Sequence, residues 1–142
     1  MKFLAKWAMG LIMVASLPAV ASDWAVIEAN ELGVTEVDRQ SIAFVAPGIR
    51  SVWVRYNFPE PQILNEGFPA TYSIALTLQY MDCERKSMSV QQTVYYSDML
   101  QQKKVSSQKF NTLDYSVVVP DTIGEATHRI ACQTPLPKPR KK

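Results

Sequence analysis

The stretch that decides the fold spans residues 71–81 and reads TYSIALTLQYM. Large apolar side chains alternate there with smaller or polar ones, which is the two-residue period of a β-strand whose two faces differ. Residues 88–97, MSVQQTVYYS, repeat the alternation after a tight polar connection at 84–87. Two such runs joined by a short connection predict a long antiparallel hairpin. We expect the rest of a sheet to build outward from it.

Four shorter strands are predicted on the N-terminal side of this hairpin. The predicted strands are Trp24–Ala29, Val34–Asp38, Ser41–Ala46 and Arg50–Phe58. In the last of them Val52, Val54 and Tyr56 alternate with polar or charged neighbours, so one face should be buried. Three prolines and Gly67 follow, and they predict a loop over residues 58–69.

The C-terminal third is predicted to hold the sheet edge and one helix. Leu100–Phe110 is weakly patterned and fits an edge strand protected by lysines 103, 104 and 109, and Tyr115–Val119 fits one more short strand. Thr122 and Glu125 match a capping box, so a helix is predicted over 121–132, although Asp121 is an alternative N-cap. The fold class is therefore α+β: an antiparallel sheet of about six strands with a C-terminal helix packed on it.

Cys83 and Cys132 are the two cysteines of the chain, and we expect them to form a disulfide between helix and sheet. The alternative is a reactive thiol, which needs a nearby cation, a helix N-terminus or a Cys-x-x-Cys motif to lower its pKa. Cys83 lies instead between Asp82 and Glu84, and Cys132 comes near the end of the predicted helix. Both positions therefore favour a structural role.

Residues 1–21 have the pattern of a cleaved signal peptide. Lys2 and Lys6 precede a short apolar run, and Ala19-Val20-Ala21 is the small-x-small pattern that a signal peptidase recognises. The run is broken by Pro18 and is shorter than the roughly 20 residues of a spanning helix. We expect an exported protein, periplasmic or at the outer surface, and without a lipid anchor because no Cys stands at the cleavage point.

The mature chain is predicted to consist of one domain, residues 22–133, and a disordered tail, residues 134–142. Four of the last five residues are basic, and prolines 135, 137 and 139 prevent a helix there. Without tail and signal peptide the chain carries 9 basic and 13 acidic side chains, a formal charge of −4. The tail is suited to weak contact with anionic surfaces, but no aromatic residue lies between its charges, so nucleic acid is not an expected partner.

The sequence lacks the patterns of catalytic and metal sites. His128 is the single histidine, and an ordinary solvent-facing helix position is favoured over a haem or metal role. No nucleophile elbow or Cys/His arrangement occurs, and a carboxylate pair such as Glu60 and Glu66 is common by chance among thirteen acids. We therefore predict a protein that is not an enzyme and needs no cofactor.

Aromatic residues and an arginine mark a candidate interaction surface. They are Trp53, Arg55, Phe58, Phe68 and Tyr95. Aromatic and Arg side chains dominate the binding energy of protein interfaces. The competing interpretation is structural, with Trp53 covering the second face of the sheet under the helix.

Several short motifs, in this order, resemble the surface-adhesin protein E family of Gram-negative bacteria. They are Val37-Asp38-x-x-Ser41-Ile42, Tyr80-x-Asp82-Cys83, Tyr95-Tyr96-Ser97-Asp98, Val119-Pro120-Asp121-Thr122 and Ile130-Ala131-Cys132. The similarity covers roughly residues 24–133. It implies a six-stranded antiparallel sheet with a helix tied on by a disulfide.

The resemblance also implies a role. The best-known member of that family is a surface lipoprotein that dimerises and binds extracellular-matrix and plasma proteins, with haem binding also attributed to it. This chain departs from it by lacking the lipidated cysteine. We expect an exported, adhesin-like binding module that recognises a host matrix or envelope protein and can form a homodimer. The alternatives are a periplasmic structural or envelope-stress accessory protein and a small carrier of haem or another ligand.

Overall fold

The computed structural model describes residues 21–66 and 68–136. The predicted signal peptide, apart from Ala21, and the basic end of the tail lie outside these residues. The described chain forms seven strands and one helix. The bounds are β1 (Trp24–Asn30), β2 (Gly33–Ala46), β3 (Ile49–Glu66), β4 (Phe68–Asp82), β5 (Ser87–Tyr96), β6 (Lys104–Lys109), β7 (Ser116–Val117) and α1 (Ile123–Gln133).

The strands form one antiparallel sheet in sequence order, from β1 at one edge to β6 at the other, with short β7 beside β5. The hairpin predicted from residues 71–97 is confirmed as β4 and β5, which pair from Ile74 with Tyr96 to Asp82 with Ser87. A two-residue period in both strands gives each a consistent inner and outer face. The six-stranded sheet with a C-terminal helix is the predicted α+β fold.

The predicted loop over residues 58–69 is wrong. Strand β3 runs on to Glu66 and β4 begins at Phe68, so the two extend past the sheet as a two-stranded arm. Pro59 and Pro61 fall where the pairing of β3 with β4 shifts, between Asn57 and Gln62. Strand β2 pairs with β3 only as far as Asn57. A proline at such a place removes no regular ladder hydrogen bond, so it does not end the strand.

Two other strands differ from their predicted bounds. The short strands predicted at 34–38 and 41–46 are one strand, β2, whose register against β3 shifts between Asp38 and Ala43. The Ser41 hydroxyl donates to the carbonyl of Asp38 and accepts from the Trp53 N–H, which bridges this irregularity. The predicted edge strand at 100–110 is confirmed in its central part, as β6.

Helix α1 packs on one face of the sheet. Its Ala131 is buried with Val37, Val52, Val54 and Met81, and other apolar side chains of β1, β3 and β5 surround this core. Thr122 is the N-cap, because its hydroxyl accepts from the Glu125 N–H at 3.2 Å. The Glu125 carboxylate accepts from the N–H of Asp121, so the predicted capping residues are the correct ones.

The helix is attached to the sheet at its C-terminal end. Cys83 and Cys132 form the predicted disulfide, with their Cα atoms 5.7 Å apart. Arg50 of β3 donates from Nη1 to the carbonyls of Ala131 and Thr134 at 2.8 and 2.6 Å. Beyond the helix, Leu136 packs against the core. Within the described part of the chain no helix is both long and apolar enough to cross a membrane.

Candidate protein-binding face

The sheet face opposite α1 is the candidate site. Side chains of directly paired residues share a face, and Glu36 pairs with Arg55, which in turn pairs with Leu76. Because the neighbouring positions Val52 and Val54 belong to the core under the helix, these side chains point the other way. We call this surface the open face. It includes Trp24, Glu36, Trp53, Arg55, Asn57, Leu76 and Leu78.

Arg55 is held from two sides on the open face. Its Nε donates to a carboxylate oxygen of Glu36 at 2.7 Å, and its guanidinium carbon lies 4.1 Å from the centre of the Trp24 ring. Asn57 donates to the same Glu36 oxygen at 2.8 Å and to the carbonyl of Val34. The side chains of Arg55 and Glu36 are only 19% and 16% exposed. The cluster is therefore fixed in position before any ligand arrives.

The charge of Glu36 is maintained by its neighbours. Burial by itself would raise the pKa of this carboxyl, but the hydrogen bonds from Arg55 and Asn57 and the charge of Arg55 outweigh it. The pKa of Glu36 is therefore lowered below its ordinary value. At neutral pH the open face carries an ionised and partly desolvated pair, Arg55 and Glu36.

Trp53 lies on the open face, half-buried, next to Leu78 with which it pairs. The structural interpretation that placed Trp53 under the helix is wrong, because α1 covers the side of β3 that carries Val52 and Val54. Only α1 packs across the sheet among the elements of residues 21–66 and 68–136. Trp53 thus remains available at the surface.

The other predicted surface residues lie apart from Trp53 and Arg55. Phe58 contacts Tyr72 edge-on at 5.7 Å between ring centres, and Tyr72 contacts Tyr95 at 4.7 Å, so these rings pack together at the base of the arm. Phe68 begins β4 at the far end of the arm, and its side chain lies outside what the structure describes. The predicted single surface is therefore two: the open face and the aromatic base of the arm.

His128 is half-buried on α1 and not solvent-facing as predicted. Its Nε2 lies 2.9 Å from the carbonyl oxygen of Asp82, to which it can donate, and 3.6 Å from Sγ of Cys132. The imidazole thus connects the helix to the end of β4 beside the disulfide. In residues 21–66 and 68–136, no three His, Cys, Asp or Glu side chains group as metal ligands would.

Five of these open-face residues were not selected from the sequence: Trp24, Glu36, Asn57, Leu76 and Leu78. The signal that could have found them is the shared register of β1, β2, β3 and β4. Trp24 pairs with Asp38, which lies two positions from Glu36 along β2 and therefore on the same face as Glu36 and Arg55. Such cross-strand neighbours are visible only when the pairing of strands is known.

The family model for surface-adhesin protein E matches residues 24–133, which is the whole sheet and helix. The chain belongs to the surface-adhesin protein E family. Membership makes it an adhesin-like surface protein. No curated protein is significantly similar to the chain in sequence.

Solved structures of Haemophilus influenzae protein E share the fold. Crystal form II is 16% identical over 84% of this chain and 94% of that chain, with a TM-score of 0.58. The selenomethionine form is 15% identical over 84% and 92% of the two chains, with a TM-score of 0.57. A third structure gives 15% identity and a TM-score of 0.56 over 84% of this chain and 90% of that chain. At this identity the likeness concerns the fold.

Proposed function

We propose that the chain is an exported, non-enzymatic binding module that recognises a protein ligand through its open face. The observation that supports this proposal is that Arg55 is fixed between Glu36 and Trp24. These residues lie on the sheet face opposite α1, and no described helix or strand packs across that face. Tryptophan and arginine are the side chains most enriched at binding hot spots. A side chain already fixed in the free protein loses little conformational entropy when it binds.

The composition of the open face supports a protein ligand over a small molecule. Leu76, Leu78 and Trp53 are half-buried and provide apolar area, while Arg55, Glu36 and Asn57 add a polar cluster beside them. A protein interface combines an apolar centre with satisfied polar groups. The surface-adhesin family supports an extracellular-matrix or other host protein as the ligand class.

Binding to purified extracellular-matrix proteins tests this proposal. We expect at least one of a panel of such proteins, immobilised on a sensor, to bind the protein. Trp53→Ala should weaken that binding about thirtyfold or more, because hot-spot side chains cost about 2 kcal/mol or more when truncated, and Arg55→Lys should weaken it as well. Arg55→Lys keeps the positive charge but loses the planar guanidinium group that donates to Glu36.

The matched control is Phe44→Ala. Phe44 is 66% exposed on β2 and pairs with Arg50, outside the open face. We expect it to bind like the wild type. Equal binding by the wild type, Trp53→Ala and Arg55→Lys would show that the open face is not the docking surface.

The location of the protein separates this proposal from the alternative of a periplasmic accessory protein. We propose display at the outer surface, so protease added to intact cells should digest the protein. Complete protection in intact cells, together with release by osmotic shock, would favour an envelope partner instead. A haem carrier through His128 is disfavoured, because its Nε2 is already in contact with the carbonyl of Asp82.

Self-association through the open face is also proposed. Two copies could place Trp53 and Leu78 against each other, and the mass of the protein in solution should then double with rising concentration. Trp53→Arg should keep the protein monomeric if this face forms the dimer. A dimer that persists in Trp53→Arg would assign the contact to another surface.

A further inference from the structure

The two edges of the sheet differ in how they are protected. Strand β6 carries exposed lysines at both ends, Lys104 and Lys109, and Lys103 precedes it. Strand β1 carries no lysine, arginine or proline between Trp24 and Asn30. Charged side chains, lysines above all, and prolines discourage the addition of another strand to an edge. By this criterion the β1 edge, whose one charged residue is Glu28, is less protected than the β6 edge.

Strand β1 has the geometry of an acceptor. It pairs only with β2, so its other side faces no strand of residues 21–66 and 68–136. Val26 is 59% exposed, whereas Ile27 packs against the core and fixes the strand to the body. Ile27 is also the extra residue where the pairing with β2 shifts. Regular pairing continues on both sides of it, so the outer side offers two short extended segments.

The charge near this edge selects the partner. Asp23 is neutralised by Arg39, with 2.8 Å between carboxylate and guanidinium. Glu28 accepts a hydrogen bond from the amide of Asn30, and neither Glu28 nor Glu31 has an ion-pair partner within the described residues. Two uncompensated carboxylates at one end of an open strand favour a cationic neighbour.

We infer that the outer edge of β1 accepts an extended basic segment of a partner protein as an added antiparallel or parallel strand. Main-chain hydrogen bonds to β1 hold the segment, and cationic side chains near Glu28 and Glu31 select it. The inference concerns the main-chain edge of β1; Trp24 belongs to both β1 and the open face, but the inference does not depend on ligand binding by that face. A second copy of this chain is less suited, because its own β1 carries no lysine or arginine to lie beside Glu28 and Glu31.

Two short peptides test the inference, one of alternating valine and lysine and one of alternating valine and glutamate. The purified protein should bind the lysine peptide at least tenfold more tightly in fluorescence anisotropy. Amide hydrogen exchange at Trp24–Asn30 should slow when that peptide is bound, while exchange in β6 stays unchanged. Glu28→Gln with Glu31→Gln should remove the preference, and Glu28→Lys with Glu31→Lys should reverse it.

The control exchanges charge at the other edge. Lys104→Glu with Lys109→Glu should leave lysine-peptide binding at β1 unchanged, and so should Trp53→Ala, which probes only the open face. Equal binding of the two peptides, protection in β6, or charge-dependent binding without protection in β1 would overturn the inference. Protection of β1 that grows with protein concentration in the absence of peptide would assign the edge to a second copy, and would also overturn it.

Discussion

Arg50 of β3 donates a hydrogen bond of 2.8 Å to the backbone carbonyl of Ala131, near the end of α1. The same Nη1 donates to the carbonyl of Thr134 at 2.6 Å. The last carbonyls of a helix have no partners within it, and the last turn of α1 contains no basic side chain. Arg50 therefore donates to carbonyls at the end of α1, as a lysine or arginine in the last turn of a helix often does. Its positive charge also complements the negative end of the helix dipole.

Replacing Arg50 should loosen the helix end without unfolding the sheet. Hydrogen bonds to charged groups contribute about 1.5–3 kcal/mol each, so we expect Arg50→Ala to lower the free energy of unfolding by about 2 kcal/mol or more. Urea denaturation followed by circular dichroism measures this. Arg39→Ala is the control, because its ion pair with Asp23 is solvent-exposed and should contribute little to stability. Equal effects of the two substitutions would contradict the proposed role of Arg50.

The disulfide should stabilise the same helix end by another mechanism. Cys83 and Cys132 are 49 residues apart in sequence, and closing a loop of that length lowers the entropy of the unfolded chain by the equivalent of about 4 kcal/mol. Cys83→Ala with Cys132→Ala should reduce the free energy of unfolding by roughly 2–5 kcal/mol. Adding a reductant to the wild type should give a similar loss, and no further loss in the double variant. A loss on reduction in that variant would point to another cause.

The features that the sequence predicted are local or periodic. The β4–β5 hairpin follows from a two-residue period, and the N-cap from the spacing of Thr122 and Glu125. The arm was missed because Pro59 and Pro61 normally end strands, and only the shift of pairing beside them makes them tolerable. Of the cluster around Arg55, the sequence predicted Arg55 itself but not its partners Glu36 and Trp24, because they lie on other strands. Their proximity depends on register, which the period alone does not determine.

The Glu36 carboxyl should make the stability of the fold depend on pH. Its pKa is lowered in the folded protein because the hydrogen bonds from Arg55 and Asn57 outweigh the opposing effect of burial. A depressed folded pKa gives stabilisation that is present above the unfolded pKa, about 4.5, and is lost as pH falls through the folded value. The difference in stability between wild type and Glu36→Gln should therefore be constant near neutral pH and shrink below about pH 4.5.

Denaturation of both proteins at several pH values between 7 and 3 measures this difference. Glu60→Gln is a suitable control, because Glu60 is exposed on the arm and its side chain has no ion-pair partner among the described residues. The free energy of unfolding of Glu60→Gln should stay close to that of the wild type at every pH. If the stability difference between wild type and Glu36→Gln grew as the pH fell, the lowered pKa of Glu36 would be contradicted.

Gly33 should be far less tolerant of substitution than Gly124. Gly33 opens β2 at a φ of +145°, and a Cβ placed there would run into the carbonyl oxygen of Asn57 on β3. Both the backbone conformation and the close approach oppose any other residue, so Gly33→Ala should cost about 1–3 kcal/mol.

Gly124 lies in the first turn of α1, where a Cβ would meet the flexible side chain of Met88 at 3.1 Å. The gain in helix propensity, up to about 1 kcal/mol, should offset that contact and make Gly124→Ala nearly neutral. Thermal unfolding of both variants measures the contrast, and a Gly33→Ala protein as stable as Gly124→Ala would show that β2 and β3 do not meet at Gly33 and Asn57 as described.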